Sequence, residues 1–343
     1  MDMTPLNSQK LASKVNPNVL QCNPGYHWDW FWKKCIVDCP TGYHNDSITG
    51  SCVKDGGTPP VIISYAGVNI SYYTASHLLG FNNDSDVNKV LDQLDADYEN
   101  YNTAYENQYP NFTAFQLDSL DSVRSFDQLQ SYKNFEAKFS GYTSQRRIFE
   151  NNETTWLNNN MIGPDPDSLD YTVDNSDNAI CNNNYQFIIA GTTYQWTSTG
   201  LISVGGESLV LSPLSVSCFS NHRVKKPPLY SSDQTRMCKL KVAINECLVR
   251  GEAKAKVKSF KKKPNGGWKH SRIDLKVDVA GSLNDGRTCG PWLVISKVNG
   301  YKKRSELKVL DRESWWGAYT TSGQLQGTLY TTVSGLSGTL FLQ

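Results

Sequence analysis

The sequence predicts an α+β protein that is mainly β, with a small disulfide-stapled module at the amino terminus, an acidic helical segment, and a β-sandwich-like region at the carboxyl end. Three observations lead to this fold class. Residues 22–52 contain a duplicated cysteine loop, residues 86–157 carry apolar side chains at helical spacing, and the chain after residue 176 alternates apolar and polar residues between frequent turns. A chain of 343 residues can bury a sizeable core and hold two or three domains.

The first 60 residues predict an arm, a cysteine module and a linker. Residues 1–20 are polar and lack periodicity, which is typical of an extended arm. Residues 21–54 hold two copies of the pattern C-x-x-G-Y-H-x-D-x5-C. Residues 55–60 contain two glycines and two prolines, a composition that favours a linker.

The equal spacing of the cysteines favours one disulfide within each copy, Cys22–Cys35 and Cys39–Cys52. A loop of this size cannot bury a core and needs a covalent staple. Four cysteines allow three pairings, so the connectivity stays open. Zinc, held by the cysteines and the histidine of each copy, is the alternative, but the CxxC and HxxxH pairs typical of structural zinc sites are absent. We therefore expect no metal and no cofactor.

Three tryptophans, Trp28, Trp30 and Trp32, lie close together in the first cysteine loop. They form either a small aromatic cluster that replaces a core or a stacking platform for sugars. The Cys–Gly–aromatic–Asp–Cys hairpin resembles the hairpins of peritrophin-type chitin-binding modules. That resemblance implies glycan binding by the three indole rings.

Residues 61–175 predict an acidic, largely helical region. Apolar residues recur every three or four positions from Asp86, and Pro110 ends the first helix. The expected elements are two short strands and three helices, at 61–65, 67–72, 86–109, 126–139 and 144–157. Two acidic clusters lack the glycine and distal glutamate of a calcium-binding EF-hand loop, and we interpret them as loop and capping residues: Asn82, Asp84 and Asp86, and Asp165, Asp167 and Asp170.

Residues 176–343 predict a β-rich domain with a basic hairpin from Glu252 to Gly281. Apolar and charged residues alternate on both arms, and Pro264–Gly267 supplies the turn. Nine cysteines indicate an oxidising compartment. Cys181 is the odd one or a partner, and Cys238 with Cys247 would staple neighbouring strands. The cysteines expected in disulfides are Cys22, Cys35, Cys39, Cys52, Cys218, Cys238, Cys247 and Cys289.

Charge is distributed unevenly along the chain. Residues 1–220 contain 11 Lys and Arg against 24 Asp and Glu, whereas residues 221–310 contain 22 against 7. Either the two parts neutralise each other or the basic part meets an external polyanion. We expect protein–protein contact, within or between subunits, rather than nucleic acid, with polysaccharide as a further partner class. The predicted interaction face is Lys254, Lys256, Lys258, Lys261, Lys262, Lys263, Lys269 and Arg272.

Half of the chain resembles uncharacterised secreted or cell-surface proteins of Bacteroidota. The resemblance rests on SQRRIFENNETTWLNNN, on NAICNNNYQFIIAGTTYQWTSTGLISV after an aspartate-rich link, and on KVKSFKKKPNGGWKHSRIDLKVDV. It implies a secreted or surface location and carries no known activity.

Motifs for common catalytic chemistries are absent: the sequence contains no HExxH, GxSxG, GxGxxG, P-loop or CxxC. No window reaches 18 apolar residues, and the first residues lack a signal-peptide h-region, so we expect no membrane span and a mature extracellular or cell-surface chain. The function we expect is a non-enzymatic structural or interaction component of a protein assembly. A carbohydrate-binding, adhesin-like module and a secreted glycoside hydrolase with an unrecognised acid pair are the alternatives.

Overall fold

Besides four short strands between residues 26 and 54, the computed structural model describes residues 59–197, 200–204, 223–225, 227–247, 250–284, 291–314 and 323–342. The chain divides into two compact units, Met1–Gly57 and Thr58–Gln343. Helices and strands are both present and strands predominate, so the predicted fold class, α+β and mainly β, is confirmed. No helix in the described part of the chain is both long and apolar enough to cross a bilayer.

Each copy of the cysteine loop forms one antiparallel hairpin. In the first copy β1 (Tyr26–Asp29) pairs with β2 (Lys34–Val37), and in the second β3 (Tyr43–Asn45) pairs with β4 (Cys52–Lys54). Two predictions lie outside the described side chains and stay predictions: disulfides among Cys22, Cys35, Cys39 and Cys52, and sugar stacking by Trp28, Trp30 and Trp32.

A six-stranded sheet combines strands from both ends of the helical region. Its strands are β5 (Val61–Tyr65), β6 (Val68–Tyr73), β7 (Leu78–Phe81), β8 (Gln186–Ile189), β9 (Thr192–Thr197) and β10 (Gly200–Ser203). Their order is β10-β9-β8-β7-β6-β5, with β7 and β8 parallel and all other neighbours antiparallel. The helices form the crossover that a parallel pair needs. The boundary predicted between residues 175 and 176 therefore falls inside one compact unit.

Five α-helices and one 3-10 helix connect β7 to β8. They are α1 (Asp84–Asn107), α2 (Ala114–Arg124), α3 (Gln130–Glu136), α4 (Gln145–Asn158), the 3-10 helix (Pro166–Leu169) and α5 (Asn175–Ile180). Val90, Leu91 and Leu94 of α1 join one apolar core with Ile70 and Phe81 of the sheet. The periodic apolar stripe of α1 is thus the face that covers the sheet.

Local sequence explains where these helices begin. The Asn83 side chain accepts a hydrogen bond from the Asp86 amide, at 2.9 Å, and Ser144 caps α4 in the same way. Thr113 and Gln116 form a capping box at α2, a helix that the apolar spacing did not predict. The helix predicted at 126–139 is shorter, since α3 spans only Gln130–Glu136.

Two further sheets pack face to face around a second apolar core. The second sheet contains β11 (Arg223–Lys225), β12 (Leu229–Tyr230), β13 (Arg236–Cys247), β14 (Arg250–Lys262), β15 (Trp268–His270) and β19 (Glu306–Ser314). The third contains β16 (Ile273–Asn284), β17 (Pro291–Val298), β18 (Lys302–Arg304), β20 (Gly323–Thr331) and β21 (Gly338–Leu342). Leu240, Val242 and Val257 of the second sheet share this core with Val277 and Leu329 of the third.

The predicted basic hairpin is present only at its turn. β14 reverses at Pro264–Gly267 and pairs with the three residues of β15, with Lys262 opposite Trp268. The chain then crosses to the third sheet, where β16 pairs with β17, β18 and β20 instead of β14. The prediction of a long β14–β16 pair was therefore wrong. Both strands have one apolar face, and stacking them face to face buries these two faces against each other. Pairing them side by side in one sheet would leave both faces to be covered by another element.

The predicted disulfide role of Cys238 is wrong. Cys238 carries a free thiol that is fully buried in the core between the second and third sheets, and burial raises its pKa to about 12. It cannot reach Cys247, because both lie on β13, nine positions and about 30 Å apart. Cys181 is buried. Cys218, Cys289 and the side chain of Cys247 lie outside the described residues.

Gly327 of β20 provides a test of the sandwich packing. A Cβ added there would lie 2.3 Å from Val242 Cγ2 and 3.3 Å from Ala255 Cβ. We expect Gly327→Ala to lower the free energy of unfolding by about 1–3 kcal/mol through overpacking. Adding Val242→Ala makes room, so the double variant should lose less than the sum of the single variants.

Urea denaturation measures these differences. Gly300→Ala is the matched control, because no atom lies within 4 Å of a Cβ added at that position. Equal stability of Gly327→Ala and wild type would contradict the described contact between the sheets.

Candidate functional site

Six lysines of the second sheet share the face that points away from the sandwich core. They lie on β13, β14 and β19 and oppose one another across the strands, with Lys239 opposite Lys258, and Lys256 between Lys241 and Lys308. All except Lys308 are at most 4% exposed. We call this set the lysine face: Lys239, Lys241, Lys254, Lys256, Lys258 and Lys308.

The helical region supplies most of the anions that neutralise the lysine face. Most of them come from residues 165–177, which we call the acidic segment, and others come from α1, α4 and β19. Every lysine of the face has a carboxylate within 3.1 Å. The shortest pairs are Lys239–Asp167 at 2.7 Å, Lys241–Asp167 at 2.7 Å, Lys254–Asp177 at 3.0 Å, Lys256–Glu306 at 3.1 Å, Lys258–Glu153 at 2.7 Å, and Lys308 with Asp95 and Asp174 at 2.6 Å each.

Turn-forming residues give the acidic segment its shape. The Asp165 side chain caps the 3-10 helix by accepting from the Asp167 amide at 3.0 Å, and Asp174 caps α5 through the Ser176 amide at 3.1 Å. Asp170 accepts from the amide of Val173, which adopts φ 58°. These tight turns aim successive carboxylates at the sheet. The predicted acidic cluster of Asp165, Asp167 and Asp170 thus supplies a helix cap and the carboxylate partners of Lys239 and Lys241.

Close pairing stabilises the ionised forms of Asp170 and Lys241. Burial alone raises the pKa of Asp170, yet Lys241 and Lys256 hold it well below its usual range. Burial alone lowers the pKa of Lys241, yet Asp167 and Asp170 hold it well above its usual range. For Lys256 the effect of burial outweighs the attraction of Glu306, so the pKa of Lys256 is lowered.

The lysine face gives three residues of the predicted interaction face their partners within the same chain, which is one of the two alternatives that the sequence left open. Lys254, Lys256 and Lys258 do not form a solvated surface for another subunit, because α4, α5 and the acidic segment of the same chain cover them. The counter-charge for a row of like charges therefore comes from within the chain. Sequence composition left internal neutralisation and an external partner equally open.

The other predicted basic residues lie in different surroundings. Arg272 is buried and donates to Asp121 at 2.5 Å and to Glu106 at 3.4 Å. Lys262 is exposed on β14. Three further lysines of the turn are only half-buried: Lys261, which bonds Asp118, Lys263, which donates to Asn158 at 2.5 Å, and Lys269.

A cleft of about 320 Å³ opens beside the lysine face, between helices α2 and α4, the connection from α2 to α3, and strands β14, β15 and β19. Its wall carries three buried carboxylates, Asp118, Glu153 and Glu306. Glu153 Oε2 accepts from Lys258 at 2.7 Å and lies 3.2 Å from His270 Nε2. Glu306 accepts from the Asn175 amide at 2.6 Å and pairs with Lys256 at 3.1 Å.

Two carboxylates of the cleft have pKa values shifted in opposite directions. Burial raises the pKa of Asp121 despite its bond to Arg272. Burial alone raises the pKa of Glu153, but Lys258 and His270 hold it well below its usual range. A glycosidase needs one carboxyl group with a raised pKa to protonate the leaving group. Glu153 does not meet that need. Within the described residues no group of three histidines, cysteines or carboxylates is arranged to hold a metal ion.

Sequence reasoning missed Glu153, Glu306 and His270 as neighbours. A signal for Glu153 exists in α4, whose buried positions include Gln145, Arg146, Phe149, Glu153 and Leu157. An acidic residue on the inward stripe of a helix indicates a buried partner of opposite charge. No local pattern connects Glu153 with His270, 117 positions away.

Comparisons with known proteins give one structural match. No protein-family model matches the chain, and no curated protein matches it. A solved structure of a DUF4848 family protein from Bacteroides thetaiotaomicron, a member of Bacteroidota, is 12% identical and has a TM-score of 0.22. The match covers 79% of this chain and 98% of the other.

The Lys258–Glu153 pair can be tested by removing its cation. Lys258→Met keeps the apolar stem but leaves Glu153 with His270 at 3.2 Å and Lys239 at 3.9 Å. We expect the free energy of unfolding to fall by about 3 kcal/mol, as when one partner of a buried pair is removed.

Lys262→Met is the matched control on the same strand, because Lys262 is exposed and its loss should change stability by less than about 0.5 kcal/mol. Urea denaturation near neutral pH compares the variants. Similar small effects for both substitutions would show that Glu153 does not depend on Lys258.

The lowered pKa of Glu153 predicts an acid-dependent stability. Glutamate has a pKa of about 4.3 in the unfolded chain, so Glu153 binds a proton more readily there than in the folded protein. The contribution of Glu153 to the free energy of unfolding is therefore complete above the unfolded pKa and is lost as the pH falls toward the lower folded pKa. We expect Glu153→Gln to have a shallower fall in the free energy of unfolding between about pH 5 and pH 3 than wild type. Parallel slopes for the two proteins would contradict the ionised, paired state of Glu153.

Proposed function

We propose that this chain is a non-enzymatic extracellular or cell-surface protein that acts as a structural or interaction component of an assembly. The observation that carries the proposal is the set of buried ion pairs between the lysine face and its carboxylate partners, which we call the ion layer. The ion layer joins the helical region to the sandwich. It also engages the charged groups beside the cleft as structural ions. A carboxylate with a lysine partner at 2.7 Å, such as Glu153, is poorly suited to proton transfer.

The cysteine content supports the proposed location. Nine cysteines in 343 residues exceed ordinary cytosolic use, and two small hairpins coincide with the cysteine repeat. Short hairpins of this kind gain most from disulfides in an oxidising compartment. A separate unit, Met1–Gly57, precedes the larger one, as in proteins built from recognition modules.

The outer side of the third sheet offers an uncovered contact surface. Val294 and Val298 of β17 are 80% and 65% exposed, and Phe341 of β21 is 58% exposed. Their neighbours Ile295 and Leu342 are buried in the sandwich core, so the exposed side chains point to solvent. Lys276 and Asp278 of β16 lie on the same face and pair with each other at 3.3 Å. Exposed apolar side chains beside charged ones favour a protein partner. We call Val294, Val298, Tyr330 and Phe341 the outer apolar face.

In-cell photo-cross-linking tests the proposal. A benzophenone-bearing amino acid at position 341 should form adducts with one defined protein on intact cells of the source organism. The same probe at position 115 is the matched control, because Phe115 of α2 is equally exposed, at 63%, but belongs to the helical region. Adducts should be absent or unspecific there.

Two results would replace the proposal. The first result is binding on a glycan array that is lost in the triple variant Trp28→Ala, Trp30→Ala and Trp32→Ala, together with no protein adduct at position 341. This result would indicate the carbohydrate-binding module. Turnover of a glycan by the purified chain, lost in Glu153→Gln with the fold intact, would indicate a hydrolase that uses the cleft.

A further inference from the structure

We infer that strand β5 is a self-association edge, where it pairs antiparallel with β5 of a second copy of this chain about a two-fold axis through Ile63. The inference rests on the proposed function, since it names one partner in the assembly. It joins two six-stranded sheets into one continuous sheet. Main-chain hydrogen bonds supply the contact, as in other cases of strand addition.

Strand β5 ends its sheet without the usual protection. In the described part of the chain it pairs with β6 alone. Val61 and Ile62 are 47% and 51% exposed and point to opposite faces, so both faces of the edge are apolar. Charged residues commonly prevent natural edge strands from pairing with another chain, but Val61–Tyr65 contains none. By contrast β19, at the edge of the second sheet, carries five charged residues in ELKVLDRES.

The turn after β5 fixes which backbone groups face outward. Ala66 and Gly67 both have positive φ, 56° and 71°, which marks a two-residue type I′ turn closed by Tyr65 and Val68. In such a hairpin Tyr65, Ile63 and Val61 form the hydrogen-bonded pairs with β6. The N–H and C=O groups of Ile62 and Ser64 therefore point away from β6, toward the free edge.

This pattern is symmetric about Ile63 and so complements itself. In a two-fold pair Ile62 of each copy lies opposite Ser64 of the other copy. Each of these two residue pairs exchanges two main-chain hydrogen bonds, which gives four in total. Ile63 meets its own counterpart, and Val61 meets Tyr65, a β-branched and aromatic pair that stabilises antiparallel strands. Pro60, which has no N–H, limits the pairing to these five residues. A second copy thus satisfies every outward group without charge repulsion.

Light scattering of the full chain across a concentration series gives the first test. We expect wild type to reach twice the monomer mass of 38.4 kDa. Ile62→Lys should raise the dissociation constant of the dimer roughly tenfold or more. Ile202→Lys is the matched control, because Ile202 is also exposed but lies on β10 at the opposite edge of the same sheet. Thermal melts of both variants confirm that each folds.

A cysteine trap tests the register itself. The two-fold axis places Ile63 opposite Ile63 in a non-hydrogen-bonded pair, with Cα atoms about 4.5 Å apart, close enough for a disulfide. Ile63→Cys should link two chains at position 63 in non-reducing peptide maps. Val61→Cys, whose counterpart lies about 13 Å away, should not.

Several results would overturn the inference. They are a wild-type chain that stays monomeric at every concentration, a dimer unaffected by Ile62→Lys, and equal cross-linking of Ile63→Cys and Val61→Cys. A photo-probe at position 62 that captures a different protein would assign the edge to a foreign strand and also overturn it. A monomeric chain that still forms adducts at position 341 would leave the proposed function intact, so failure of the inference is distinguishable from failure of the proposal.

Discussion

The repulsion among the lysines of the lysine face is the constraint on which the rest of the larger unit depends. Ammonium groups directly opposite one another across strands repel, and burial removes the water that would screen them. Each ammonium therefore needs an anion at hydrogen-bond distance. The acidic segment provides several of these anions within 13 residues, because its tight turns return one carboxylate after another to the sheet. Charge pairing thus helps to decide where the helices lie on the sandwich.

Such a layer contributes more to the uniqueness of the fold than to its net stability. Desolvation of two ions costs about as much as their attraction returns, whereas an unpaired buried ion is strongly unfavourable. A helical region shifted along the sheet would leave lysines without partners. We interpret the ion layer as a device that selects one register between helices and sheet, while the apolar core under α1 supplies the driving force.

Neutralisation inside the chain also changes where recognition can occur. The basic strands look like a polyanion site in the sequence, but their charges are occupied. Two other surfaces expose apolar side chains: the outer apolar face of the third sheet and the free edge of β5. They lie on different sheets, so one chain can contact a copy of itself and a different partner at the same time. That combination suits a component of an assembly.

Local patterns in the sequence determined the fold class, the cap at Ser144, the periodic stripe of α1 and the alternation of β14. These features depend on residues a few positions apart, and their physics is contained in the local chain. The opposite charges of the two parts of the chain were also visible in the sequence, together with the possibility that one neutralises the other.

Only the tertiary structure decided how these elements combine. β16 faces β14 across the sandwich instead of pairing with it, and β8 joins β7 across more than 100 residues. Glu153 meets Lys258 and His270, which no short motif connects. Two strands that each have one apolar face can lie side by side in one sheet or face each other from two sheets, and a carboxylate can bond any nearby cation. The choice among these options depends on the packing of the whole chain, which local sequence does not encode.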